Sequence, residues 1–398
     1  MRVLMIAPTS FFSDYGGHIR ILEEMRALGA LGVEVAVVTY YMGKDVPGLD
    51  IRRTAPLPWH TDYEVGSSRH KIAFDAYLAG RSIKEALRFR PQIIHGHMHE
   101  GALIGGVLAR LMGIPLVFDY QGSLTAEMVD HHFLNSHGKL YPWAYRVESF
   151  ITRHLPHAIL TSSGQAMALL RDQFKVPPER LHALPDCADA SRFDPVRFLH
   201  YNANNHPLRA VYNIPVDATI IGYLGLLTDY QGIPHLIESA VELRRQGQNV
   251  HFLVMGYPNV EHYQAIARLR GVDDVVTFTG RVPFSEAPFY LSVCDIAVAP
   301  KMSTSEGSGK LLNYMAMALP IVAYDTAVNR EYLGDLGVYA PPGDVGAFTA
   351  AIDELVRNAP LRIELGLQLR QRVMGKFSWH TAAERILNIY QNLDKQAE

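Results

Sequence analysis

The sequence is poor in cysteine, in long apolar runs and in net charge. Its only cysteines, Cys187 and Cys294, lie too far apart for a CxxC redox or zinc pattern and are too few for a disulfide-stapled secreted scaffold. No stretch approaches the roughly 18 uninterrupted apolar residues of a membrane-spanning helix. The apolar run in "MRVLMIAPTS" is short for a secretory signal and has no small-residue cleavage site, so it reads as a first buried strand and the expected location is cytoplasmic. A net charge of −3 removes the broad basic surface with which proteins grip nucleic acid. What is present is a folded composition, 48% hydrophobic and 19% charged, in a chain too long for one ordinary core.

Short apolar runs alternate with amphipathic segments of helical length, the pattern of βαβ units around a parallel sheet. It occurs twice. "RVLMIAP", "EVAVVTY", "QIIHGH", "PLVFDY" and "HAILTSS" form one set, and "TIIGYLG", "VHFLVMG", "VVTFTG", "DIAVAP" and "PIVAY" the other. Between them, "FDPVRFLHYNANNHPLRAVYNIPVD" has no clear strand and several Pro and Asn, which marks the boundary. The expectation is an α/β protein of two Rossmann-like domains, 1–195 and 196–378, facing each other across a cleft. Ligands of such sheets collect at the carboxyl ends of the strands. Helices are predicted from about Ile19 to Leu31 and from about Trp379 to Leu393.

Three loops in that cleft carry candidate chemistry. Gly16 and Gly17 precede the first helix, where a close backbone and unpaired N–H groups favour an anion such as phosphate. No third glycine completes a GxGxxG fingerprint. In the second half Gly225 follows a strand, Gln231 and Gly232 lead into a helix, and Gly256 ends the next strand. "SEGSGKLLNYMA" is the most informative stretch. It is not a Walker A loop, because Thr304 and Leu311 stand where Gly and Ser/Thr are required. It does bring Glu306, Ser308, Gly309, Lys310 and Leu311 to a helix start, with Asn313 one turn on. One cation, one carboxylate and one amide suit a nucleoside diphosphate and its ribose.

"HGHMHE" places His95, His97 and His99 at alternate positions, on one face of a strand. A metal site would need acidic ligands that the pattern does not supply. His95 therefore reads as a buried residue, and His97, His99 and Glu100 as acceptor-side cleft residues. After the following strand, Asp119, Gln121, Ser123, Glu127 and Asp130 offer further polar groups. "KLYPWAYRVESFITRHLPHAI" mixes aromatic and basic residues, as a helix resting on an anionic membrane surface would, or one packed on its own domain.

Taken together, the Gly16-Gly17 loop, "PDCADASRFDP", "GYLGLLTDYQG", "VMGYP", "VTFTGRVP", "CDIAVAP", "SEGSGKLLNYMAMALPIVAYDT" and the closing "FSW" resemble the family-4 retaining glycosyltransferases of GT-B architecture over nearly the whole length. The resemblance implies a last helix, 379–398, crossing back onto the first domain, which becomes the acceptor side, and a second domain that binds the donor. It also implies a nucleotide-diphospho-sugar donor, UDP- or GDP-linked, with no cofactor and no metal. This sequence departs from the family pattern at four places. Leu226 and Gln231 replace the Arg and Lys that bind the diphosphate, Asn313 replaces the second of two glutamates, and Gln121 stands where a histidine is usual. Lys310 from the other loop could supply a missing charge.

The reading is a retaining transferase that moves a sugar, a hexose, from the donor to a hydroxyl of a glycan, lipid-linked sugar or small molecule. Lys310 and Glu306 are the expected catalytic groups. Gly16, Gly17, Gly225, Gln231, Gly256, Ser308, Gly309, Leu311 and Asn313 are expected on the donor. His97, His99, Glu100, Gln121 and Ser123 are expected on the acceptor. Nucleic acid is not an expected partner; peripheral contact with the inner membrane face is one alternative for the aromatic and basic helix, packing on its own domain the other. The alternatives are a sugar-nucleotide epimerase or hydrolase on the same fold, and a metal-dependent hydrolase built on His95, His97 and His99.

Overall fold

A computed structural model describes residues 1–13, 16–58, 71–130, 134–301 and 309–397. The first sheet contains β1 (Arg2–Ala7), β2 (Glu34–Thr39), β3 (Asp50–Arg53), β4 (Ile93–His97), β5 (Leu116–Tyr120), β6 (Ala158–Thr161) and β7 (Leu181–Ala183), in the order β3-β2-β1-β4-β5-β6-β7. Every pairing is parallel. The second sheet contains β8 (Thr219–Leu224), β9 (Val250–Met255), β10 (Val276–Gly280), β11 (Ile296–Ala299), β12 (Ile321–Tyr324) and β13 (Val338–Ala340), ordered β10-β9-β8-β11-β12-β13 and again parallel.

The strand runs are apolar throughout because both faces of each sheet are covered. Along β1, Val3, Met5 and Ala7 enter one core, and Leu4 and Ile6 the other. Along β8, Ile220 goes to one core and Ile221 and Tyr223 to the opposite one. The central strands follow the sequence pattern. Three edge elements do not: β3 is "DIRR", and β7 and β13 have three residues each. Edge strands are often short or charged, which keeps them from pairing with other chains and strips them of an apolar signal.

The first helix, α1 (Gly16–Ala30), begins three residues earlier than its apolar spacing suggests. It is followed by α2 (Lys71–Phe89), α3 (Met98–Met112), α4 (Leu124–Asp130), α5 (Tyr141–His154) and α6 (Gly164–Asp172). The chain enters the second domain soon after β7, since Ala188, Phe193, Leu208 and Ile214 pack into that domain's core. It returns in the helix Trp379–Ala397, which runs on past the predicted end. Trp379, Ala382, Ala383, Ile386 and Tyr390 of this helix share a core with Val3, Met5 and Ile93 of the first sheet.

Candidate functional site

On the first domain's side, the carboxyl ends of β4 and β5 carry a buried charge network. His97 and Asp119 are register partners on neighbouring strands, and His97 Nδ1 lies 3.0 Å from Asp119 Oδ2. Arg20, from the second turn of α1, donates to both Asp119 oxygens at 2.8–3.1 Å, to Asp186 Oδ1 at 2.8 Å and to the Leu184 carbonyl at 3.2 Å. Glu24, one turn along α1, has a carboxyl oxygen 3.1 Å from Arg20 Nε. Burial opposes charge on Arg20, Asp119 and Glu24. For Asp119 it would raise the pKa, but Arg20 and the His97 contact outweigh it and hold the carboxyl far below the usual range. Glu24, buried beside Asp119, is pushed the other way and favours its proton.

Gln121 donates to Asp119 Oδ2 at 2.8 Å, and a β-carbon on Gly17 would stand 2.9 Å from its Oε1. A side chain at that helix start would push the Gln121 amide aside. His18, the next residue, accepts from the Ser13 N–H at 2.7 Å and meets the Thr9 hydroxyl. Burial, reinforced by Arg281 of the second domain, lowers its pKa to about 3, so it is neutral at physiological pH.

On the second domain's side, Lys310 stands in the first turn of the helix Gly309–Ala316. Its Nζ donates to Gln231 Oε1 at 2.8 Å and to the Tyr223 hydroxyl at 3.1 Å, and lies 4.3 Å from the centre of the Tyr223 ring. A β-carbon at Gly225 would come within 2.8 Å of that ammonium, and one at Gly256 would strike the Gly225 carbonyl. These glycines therefore clear the space at the ends of β8 and β9 that Lys310 enters. The two sides meet at Asp186, whose Oδ2 would lie 3.5 Å from a β-carbon on Gly309. The Asp186 N–H donates to the Tyr332 hydroxyl at 3.3 Å, and that hydroxyl donates to the Ser162 carbonyl at 3.2 Å. Beside this contact, the Gly164 N–H at the start of α6 donates to the Glu331 carboxylate at 2.9 and 3.2 Å.

Two family descriptions match the chain in tandem: "Glycosyl transferase 4-like domain" over residues 16–187 and "Glycosyl transferases group 1" over 218–358. The chain is a glycosyltransferase of the GT-B fold. It is 24% identical over 399 residues to a 2-deoxystreptamine glucosyltransferase of Streptomyces kanamyceticus, covering 94% of this chain and 98% of the relative. Sucrose-phosphate synthase from Thermosynechococcus elongatus shares the architecture at a TM-score of 0.81 with 18% identity, over 98% of each chain. Anabaena HepE in complex with UDP and glucose superposes at a TM-score of 0.77 with 13% identity, over 98% of this chain and all of that one.

Gly16 and Gly17 stand at the start of α1 beside Gln121, while Gly225, Gln231, Gly256, Gly309 and Lys310 gather at the ends of β8 and β9. Leu311 points away into the second domain's core, because it follows Lys310 onto the inner face of an amphipathic helix. Asn313 is half-buried on the same helix. Glu306 and Ser308 lie outside the described residues.

The histidines are not cleft-lining groups. His97 is fully buried, its ring stacked on His95 with centroids 4.5 Å apart. His99 packs edge-on against Phe118 and Tyr120, with Nε2 3.4 Å from buried Glu148. Glu100 is half-buried and paired with Lys71 at 2.5 Å. Ser123 caps α4, accepting from the Ala126 N–H at 3.3 Å. His95 is structural, and its Nδ1 lies 2.5 Å from the hydroxyl of Tyr390 in the last helix.

Ligand atoms of Glu24, His95, His97 and Asp119 all fall within 4.8 Å of one another. This set includes the acidic groups that the histidine spacing alone does not reveal. Arg20 already supplies a cation to it. Among the described residues no helix is long and apolar enough to cross a membrane. The α5 helix buries Ala144 and Ile151 against its own domain and exposes Trp143 and Phe150.

Arg20, His18, Asp186 and Tyr223 escape sequence reasoning. The one available signal was Asp119 itself, a carboxylate inside the apolar strand "LVFDY", since a buried charge needs a partner.

Proposed function

We propose that the enzyme transfers a hexose from a UDP- or GDP-linked donor to an acceptor hydroxyl with retention at the anomeric carbon. Lys310 carries the reading: its ammonium lies 2.8 Å from Gln231, the position where the resemblance expects a diphosphate-binding lysine. The charge absent from one loop is thus delivered to nearly the same place by another. On this reading phosphate oxygens sit beside it at the glycine-lined ends of β8 and β9, opposite the N–H groups of the α1 start. HepE, which has this fold, is known in complex with UDP-glucose.

In the proposed step the bond between the anomeric carbon and the diphosphate oxygen breaks as the acceptor oxygen bonds to the same face of the sugar. The acceptor proton passes to the departing phosphate oxygen, so no side chain is needed as base. Lys310 and the helix-start N–H groups stabilise the growing negative charge, the type of preorganised electrostatic contribution that often dominates catalysis. The first domain offers the acceptor wall. No step uses a metal, and the Glu24, His95, His97 and Asp119 cluster is assigned to holding the strand ends together around Arg20.

The test is a product assay with UDP- and GDP-hexoses and a panel of sugar acceptors, with the anomeric configuration read from the proton coupling constant. Transfer with the donor's own configuration is expected. An inverted product would remove the proposed mechanism, and donor consumption without any acceptor would favour the epimerase or hydrolase alternative.

A further inference from the structure

A cavity of about 280 Å³ opens in the first domain between α4, α5 and α6, at the carboxyl end of β5. One side is aromatic: Tyr120, Tyr141, Tyr145 and Phe174 line it. Tyr145 and Phe174 are stacked with ring centroids 5.0 Å apart and planes within 23°, and Tyr141 lies at 22° to Tyr145. The rim carries the amides of Gln165 and Gln173, both in exposed positions. Ser123 and Thr125 also reach the wall, but their hydroxyls are engaged in the α4 start and with Glu148. Glu148 lies buried beneath, with its carboxylate accepting from the Leu124 and Thr125 N–H groups.

No Asp, Glu, Lys, Arg or His is among the described residues on this wall. The cavity is also close to the transfer cleft. Ser123 is two residues from Gln121, which touches Gly17, and Gln165 follows Gly164, which contacts Glu331 of the second domain. Its volume is at the lower end of the range for ligand pockets, enough for one ring rather than an extended molecule.

We infer that this cavity is an acceptor subsite for an uncharged sugar ring. The apolar C–H face of the ring lies on the Tyr145–Phe174 surface, and its hydroxyls reach the two glutamine amides, which can each donate and accept. The neutral wall also selects. An amine-bearing acceptor such as 2-deoxystreptamine, or a sugar phosphate, would bring in a charge that no described side chain of the cavity compensates, a costly desolvation. This acceptor chemistry rests on the transferase reading given above.

Saturation-transfer NMR tests the inference with methyl glucoside, methyl galactoside and methyl mannoside as neutral probes, and with glucosamine and glucose 6-phosphate as charged ones. The full-length protein is used with UDP or GDP present. At least one neutral glycoside is expected to bind about tenfold more tightly than either charged sugar. Leu169 lies on the α6 wall of the cavity; Leu169→Trp, which fills it, is expected to abolish that binding, and Gln173→Glu to shift preference toward glucosamine. Nucleotide binding should persist in both variants, which also shows that they fold. Equal or tighter binding of the charged sugars, neutral binding that survives Leu169→Trp, or binding of no sugar at all would overturn the subsite. Binding of sugars in a wild-type protein that binds neither nucleotide would leave the cavity assignment standing and remove the donor reading.

Discussion

The two walls of the cleft each hold a cation, and they hold it differently. Arg20 in the first domain is 3% exposed and joined to Asp119, Glu24 and Asp186. Lys310 in the second donates to an amide oxygen and a phenol and rests on that phenol's ring. Carboxylates buried with an arginine become uncompensated charges when it is removed, whereas the amide and the phenol that accept from Lys310 carry no charge of their own. On the proposed reading the first wall is arranged around its cation for the fold, and the second holds its cation for a ligand's charge.

Breaking Arg20 should have the largest effect. Arg20→Met is expected to cost about 3–5 kcal/mol, as measured for other disrupted buried pairs, and to show as a large loss of melting temperature or of soluble protein. Lys310→Ala should lower turnover by about 10²–10³ while moving the ligand-free Tm by only a few degrees. Similar losses of stability in both variants would erase the distinction between the walls.

Glu148 sharpens the comparison, because it is a first-domain carboxylate that works through hydrogen bonds. Burial alone would raise its pKa, but the His99 contact and the Thr125 hydroxyl and N–H groups outweigh this and lower it to about 2. A depressed carboxyl pKa stabilises the fold above the unfolded-state value near 4.5, and that stability is lost as pH falls from there through about 2. The difference corresponds to about 3 kcal/mol. Glu148→Gln should therefore lower Tm at pH 7 and flatten its fall below about pH 4.5; an unchanged acid limb would refute the assignment. The smallest effect is expected at the domain contact. Tyr332→Phe removes the hydroxyl between Asp186 and Ser162 and should cost about 1–3 kcal/mol, read by denaturant unfolding.

Most of the architecture was legible because buried parallel strands write themselves as apolar runs, and glycines mark where the chain turns towards the cleft. The charged edge strand "DIRR" was not, because its charged side chains turn to water, to one another and to Glu85 rather than to the core. Lys310 was legible from its place at a helix start. Arg20 was not, since on α1 it looks like any solvated helical arginine, and its partners Asp119 and Asp186 lie 99 and 166 residues away. The histidines misled for a related reason. Alternate spacing does put His95 and His97 on one face of β4, but the helix covering that face, Trp379–Ala397, comes from the far end of the chain, and His99 falls past the strand in the first turn of α3 and packs on Phe118 and Tyr120 instead.

The central claim is that the second wall's cation serves the donor diphosphate in place of the lysine absent at Gln231. Calorimetric titration of UDP and GDP into wild type, Lys310→Ala and the double variant Lys310→Ala/Gln231→Lys tests it directly. The account predicts a drop in affinity of about tenfold or more in the single variant, about the loss expected for one charge-assisted contact, and substantial recovery in the double variant. Undiminished nucleotide binding in a folded Lys310→Ala protein would contradict it.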